Sequence, residues 1–414
     1  MLRHFRVLLT GIVIYAVLSL TVFAGENQLQ PGEESEVKMP DNGRMMKVYL
    51  PLNYSADKKW PVIFFFHGMN GSPTTAPIRY YTAGNDFVVI GLPYAAEKEV
   101  PKTAQQAEGI LQKELANFYS ARAWAGKNLK IDENRIIMGG ISLGGWTTST
   151  LAEYAMPRVA GMFILLAGRQ REKTPPKNPA LLKFMPVYIG AGEADPNIIP
   201  AFKAVASYRR YGAVVTYEIF MGLGHAPPQG APPRFKAWLN SFGKWYAGTM
   251  TDDLRKEVDE SLKGQLDNAM GKEDAQKYAV LLDLESDPSL SRSTPSVAAE
   301  ISKQLNAARM ESPGREESIA EKTFFELALQ DVNMKLANEL KAVRDGFKKL
   351  GYTYPETVFG KYAAAYAECL AQMYQKIMDA SPSAMGAGAK KSSSVNFPTG
   401  ESRARVPVIK YKKP

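Results

Sequence analysis

The chain has 414 residues, 45% of them hydrophobic, with 33 glycines, 27 prolines, three histidines and a single cysteine. That composition excludes a disulfide-stapled miniprotein, a collagen-like or low-complexity filament and a Cys/His metal cluster, and the length allows more than one globular unit. The formal net charge of +9 gathers near the ends, so it says little about nucleic-acid binding by the body of the chain.

In chain order, Arg3 and Arg6 precede an apolar run over 7–23 that ends in Val22-Phe23-Ala24. Short residues three and one before the break predict a signal peptide, 1–24, and an exported chain, periplasmic or extracellular; an uncleaved N-terminal anchor is the alternative. Residues 25–43 read as a polar linker. A parallel βα series is predicted next, with strands near 44–50, 61–67, 87–92, 134–139, 161–167, 186–190 and 214–220. Helices are expected at 103–126, 143–155, 198–211 and 231–247. Runs such as Trp60-Pro61-Val62-Ile63-Phe64-Phe65-Phe66 are apolar at every position, which calls for strands covered on both faces.

The fourth strand runs into Gly140-Ile141-Ser142-Leu143-Gly144. A serine in a sharp strand-to-helix turn is strained, and glycines two residues to either side remove the Cβ atoms that would clash with it. Downstream, a strand ends in Gly192-Glu193-Ala194-Asp195-Pro196. The following strand ends in Gly222-Leu223-Gly224-His225. With His4 in the predicted signal peptide, His225 is the candidate base and His67 its rival. Asp195 is the candidate acid, with Glu193 as rival; Asp195 could also cap the helix over 198–211, with Pro196 in its first turn. The order Ser142, Asp195, His225 is the α/β-hydrolase order, unlike that of chymotrypsin or subtilisin. Tyr94 and Trp146 read as core aromatics, with a place in the pocket lining as the alternative.

On His67-Gly68, Gly140-Ile141-Ser142-Leu143-Gly144-Gly145, Gly192-Glu193-Ala194-Asp195-Pro196 and Gly224-His225, the sequence resembles the α/β-hydrolase superfamily. Within it, the chain is similar to secreted esterases of the polyhydroxybutyrate-depolymerase, feruloyl-esterase and carboxylesterase group, over about 40–248. The resemblance implies a doubly wound, mostly parallel sheet and ester hydrolysis through an acyl-enzyme on Ser142. It favours Asp195 over Glu193, puts the oxyanion hole at the amides of Met69 and Leu143, and makes His67 and Gly68 structural, bracing the oxyanion loop. No metal and no cofactor are expected. The stretch 168–183 is too short for a large cap, so the site should be open and suited to acyl groups on bulky or polymeric carriers.

Beyond 250 the pattern turns helical. Leu254, Val258, Leu262, Leu266 and Met270 recur every four residues, and Leu329, Val332, Leu336, Leu340, Val343, Phe347 and Leu350 step by three and four before Gly351, which reads as a C-cap. A third stripe, from Tyr362 to Ile377, carries the lone Cys369, read as a buried structural thiol. Residues 250–380 are therefore predicted to form an all-α bundle, either purely structural or the seat of a protein partner. Residues 381–414 carry seven basic residues against Glu401 and are rich in Gly, Ala, Ser and Pro, which predicts a disordered basic tail. Such a tail is either solvating or in weak contact with an anionic surface; no specific nucleic-acid partner is expected.

The catalytic domain is thus placed at 44–249, and the expected function is an exported serine esterase. Its substrates would be acetyl, feruloyl or short aliphatic esters on carbohydrate or polymer carriers. A serine peptidase of the prolyl-oligopeptidase type shares fold and triad and is the runner-up, although the propeller those enzymes carry is missing. A non-catalytic hydrolase-fold scaffold whose helical region binds a partner is the reading from another class.

Overall fold

The computed structural model describes residues 29–96, 103–171, 174–246, 250–330 and 336–380. The segments read as signal peptide and basic tail lie outside the described residues. Eight strands form one sheet: β1 (Glu34–Lys38), β2 (Met45–Tyr49), β3 (Trp60–Phe66), β4 (Val88–Leu92), β5 (Ile131–Ile141), β6 (Gly161–Leu165), β7 (Pro186–Gly192) and β8 (Val214–Phe220). Their order is β1-β2-β4-β3-β5-β6-β7-β8. β2 runs antiparallel to β1 and β4, and the remaining pairs are parallel. This is the strand order of an α/β-hydrolase.

The two-residue period of β3 explains its unbroken apolar run. Val62, Phe64 and Phe66 enter the core on one face of the sheet, while Ile63 and Phe65 enter the core on the other. Helices α2 (Ala104–Asn128), α3 (Leu143–Ala155) and α4 (Ile198–Arg210) cover the first face through Phe118, Leu151 and Phe202. The second is covered by α1 (Ala76–Tyr81) and α5 (Pro233–Trp245) through Ile78, Phe235 and Trp238. Each fully buried aromatic or aliphatic side chain is worth about 1.5–3 kcal/mol of transfer free energy, enough to dispense with disulfides in a core of this size.

The residues read as a linker, 25–43, contain β1, which forms the sheet's edge. Its residues are polar because one face meets solvent, and Glu36 pairs with Lys47 across the strands at 2.9 Å. With Val37 as its sole large apolar residue, β1 carries no hydrophobic alternation to read.

The later helices are α6 (Asp252–Met270), α7 (Asp274–Glu285), α8 (Pro295–Ala308), α9 (Gly314–Ala328), α10 (Ala337–Thr353) and α11 (Val358–Ala380). They divide between the two cores. Val258, Leu262, Leu281 and Ile301 join the α5 side, whereas Phe324, Phe347 and Tyr366 join the α4 side. The helical region therefore straddles β8, the edge strand at the other end of the sheet. Thr216 Oγ1 donates to the Ser286 carbonyl at 2.5 Å, and Arg234 links the Tyr217 carbonyl (3.0 Å) to Asp283 (2.6 Å). The rings of Phe202 and Phe324 lie 4.6 Å apart. An open sheet edge is an aggregation hazard, and here helices cover it.

The leucine stripe from Leu329 is not one helical face. α9 stops at Ala328, and Leu329 and Leu336 are exposed; Val332 lies outside the described residues. Gly351 is not a C-cap either, since α10 continues to Thr353. A Cβ at Gly351 would stand 2.9 Å from that of Ala364, so its small size lets α10 approach α11 closely.

Candidate active site

Ser142 stands between β5 and α3 with φ 55° and ψ −117°, a conformation costly for a residue with a side chain. Its amide donates to the Leu165 carbonyl at 2.8 Å, which ties the turn to β6. The flanking glycines are required by close approach. A Cβ on Gly140 would overlap the backbone of Gly144, and one on Gly144 would overlap the Phe66 carbonyl. β3, β5 and α3 can meet beneath the serine only with hydrogen at both positions.

Two other strand ends supply the partners. His225, in the loop after β8, accepts from Ser142 Oγ at Nε2 (2.8 Å) and donates from Nδ1 to Asp195 Oδ1 (2.9 Å). The side chain of His225 is 40% exposed and that of Asp195 wholly buried, so the imidazole is open to solvent while its anchor is shielded from water. The hydrogen bond to Asp195 raises the His225 pKa above the ordinary imidazole value; partial burial opposes this, and the carboxylate charge adds to it. Asp195 is not the helix cap. Asn197 holds that position, and Asp195 Oδ1 instead accepts the Asn197 amide at 2.8 Å in a turn ahead of α4.

The rivals have other partners. Glu193 accepts the Gly222 amide at 2.8 Å. The buried His67 turns Nδ1 to the Gly68 carbonyl at 2.7 Å and sets its ring edge-on to Tyr94. Gly68 lies beside Ser142: a Cβ there would be 3.7 Å from the Cβ of the serine. Met69 follows in a turn closed by Gly71 N–H to the Gly68 carbonyl, with Asn70 at φ 61°. Leu143 opens α3, and N–H groups of a first helical turn have no intrahelical acceptor. Both proposed oxyanion donors thus belong to segments flanking Ser142.

Two further residues build the site. Tyr94 donates its hydroxyl to the His67 carbonyl at 2.6 Å, holding the loop that carries Met69. Arg44 in turn fixes the Tyr94 and Ala95 carbonyls. A buried aromatic after a strand has no sequence signature that separates such a strut from ordinary core. Arg169 is the second. It forms a buried two-pronged pair with Glu153 of α3 (2.6 and 2.9 Å) and donates to the Arg171 and Thr174 carbonyls. The start of the 168–183 stretch is thereby pinned against α3, the helix that follows Ser142. Among the described residues, no group of three or more His, Cys, Asp or Glu side chains is placed to hold a metal ion.

The chain thus has an α/β-hydrolase sheet, with Ser142, His225 and Asp195 hydrogen-bonded in series at the carboxyl ends of its strands. No protein-family model and no curated protein sequence matches the chain. Among solved structures, it is similar to a thermostable esterase at 19% identity, over 46% of this chain and 54% of that one, with a TM-score of 0.34. The chain therefore spans about half the length of that esterase. A ferulic acid esterase from Anaeromyces mucronatus matches at 12% identity, over 50% and 89% of the two chains, with a TM-score of 0.38. One of two fungal esterases from Rhizomucor miehei matches at 16%, over 51% and 81%, with a TM-score of 0.38. The fold rests on this chain's own strand order and serine turn.

Proposed function

We propose that the chain is a serine esterase. The observation that carries this reading is the continuous hydrogen-bond chain from Ser142 Oγ through both nitrogens of His225 to a buried Asp195. In the proposed reaction His225 Nε2 takes the hydroxyl proton as Ser142 Oγ attacks the ester carbonyl. The imidazolium that forms is held by Asp195, and the Met69 and Leu143 amides receive the oxyanion. As the C–O bond breaks, His225 returns the proton to the leaving alcohol. Water then repeats both steps on the acyl-enzyme and frees the acid.

The exposure of His225 supports an acyl group carried on a bulky or polymeric alcohol, and acetyl, feruloyl and short aliphatic esters are the classes to try. Export belongs to this proposal and rests on the sequence of residues 1–24 alone. The test is hydrolysis of p-nitrophenyl acyl esters, methyl ferulate and acetylated xylan by the wild type and Ser142→Ala. Turnover by the wild type that falls at least about 10³-fold in the variant is expected. Equal turnover by a folded Ser142→Ala would reject the assignment, and no turnover by folded wild type would turn attention to peptide substrates.

A further inference from the structure

The loop that carries His225 has no regular secondary structure between the end of β8 at Phe220 and the start of α5 at Pro233. Met221, Gly222, His225 and Ala226 are all exposed. Such a segment must be held from outside if Nε2 is to stay within hydrogen-bond reach of Ser142 Oγ. The acid loop after β7 provides the hold. Glu193 N–H donates to the Phe220 carbonyl at 3.1 Å, and Ala194 N–H donates to the Leu223 carbonyl at 2.9 Å. Gly192 lies so close that a Cβ on it would overlap the Leu223 and Gly224 carbonyl oxygens.

One side chain joins this backbone seam. Glu193 Oε2 accepts the Gly222 amide at 2.8 Å, at the point where the loop turns through φ 70°. A carboxylate acceptor makes this a charge-assisted bond, roughly twice as strong as a neutral one. It lies three residues before His225, whereas the Tyr81 hydroxyl, which donates to the backbone carbonyl of Pro228, acts three residues after it.

We infer that Glu193 is a positioning residue: its carboxylate fixes the turn at Gly222 and thereby sets His225 between Ser142 and Asp195. This rests on the serine-esterase reading for its catalytic consequence, but not for its structural one. The acid loop then has two carboxylates with separate tasks. Asp195 orients the imidazole ring, and Glu193 holds the backbone that presents it.

The test uses the full chain with 15N-labelled histidine, comparing the wild type with Glu193→Ala and Glu193→Gln. The chain has three histidines, so the low-field Nδ1 proton of His225 can be assigned with His225→Ala, and the His67 signals report folding. Glu193→Ala is expected to broaden or lose the His225 resonance while His67 is unchanged, and to lower kcat about 10- to 100-fold with little change in KM. Glu193→Gln keeps an acceptor oxygen for Gly222 and is expected to restore both within about threefold. A His225 resonance in Glu193→Ala identical to that of the wild type overturns the inference. So does a glutamine variant as impaired as alanine, because charge and not the hydrogen bond would then be the cause. Wild type that shows the resonance and responds to Glu193→Ala but hydrolyses no ester fails the esterase reading alone.

Discussion

His225 and Asp195 make an unequal pair, one part-exposed and one shielded, and this sets the pH behaviour. A general base must be neutral, so kcat/KM should fall as the pH drops through a His225 pKa that lies above the ordinary value of about 6.5. Asp195→Asn should move that acid limb to lower pH and cut the rate about 10³–10⁴-fold, as read from the pH profiles of both proteins. The linked effect on stability has the opposite slope. The protonated pair contributes fully below about pH 6.5, and its contribution is lost as pH rises through the folded-state pKa. Tyr94→Phe removes the donor to the His67 carbonyl and should cost about 1–3 kcal/mol of stability, with kcat lowered several-fold and KM unchanged. Stopped assays beside a urea titration would check both. The residues now hydrogen-bonded in series were legible because Gly140 and Gly144 mark the turn and histidine is scarce. Tyr94 and Glu193 were not legible as struts, since their work depends on which backbone atoms the fold brings to them.

Helices and strands became readable where burial imposes a period. β3, β4, β6, β7 and the stretch of β5 from Ile136 are covered on both faces and show as apolar runs, whereas β1 is a polar edge strand held by pairing with β2 and an ion pair, which composition does not reveal. The stripe from Leu329 to Leu350 begins just past the end of α9 and keeps helical spacing through the start of α10, so spacing alone could not place that start. Gly351 looked like a cap because it follows a stripe, but it serves the crossing of two helices. Gly351→Leu should therefore destabilise the chain by about 1–3 kcal/mol through overpacking against Ala364. A lower urea midpoint with unchanged slope is the expected result.

At the scale of the whole molecule, the helices after residue 250 extend both cores and cover β8, the strand that leads to His225. Their apolar stripes announced that partner faces exist but not which faces, because a stripe of leucines fits another helix as well as a sheet edge. Phe324→Ala, in α9 and packed on Phe202 of α4, should cost about 3–5 kcal/mol. Helical signal and serine reactivity should then be lost in one transition on heating; separate transitions would mean that the helices fold apart from the hydrolase core. The most direct measurement of the central claim is mass spectrometry of the protein after reaction with a fluorophosphonate. A single adduct is expected, on Ser142, absent from Ser142→Ala and slowed at least about 10³-fold in His225→Ala. No adduct on the folded wild type, or one on another serine, would contradict it.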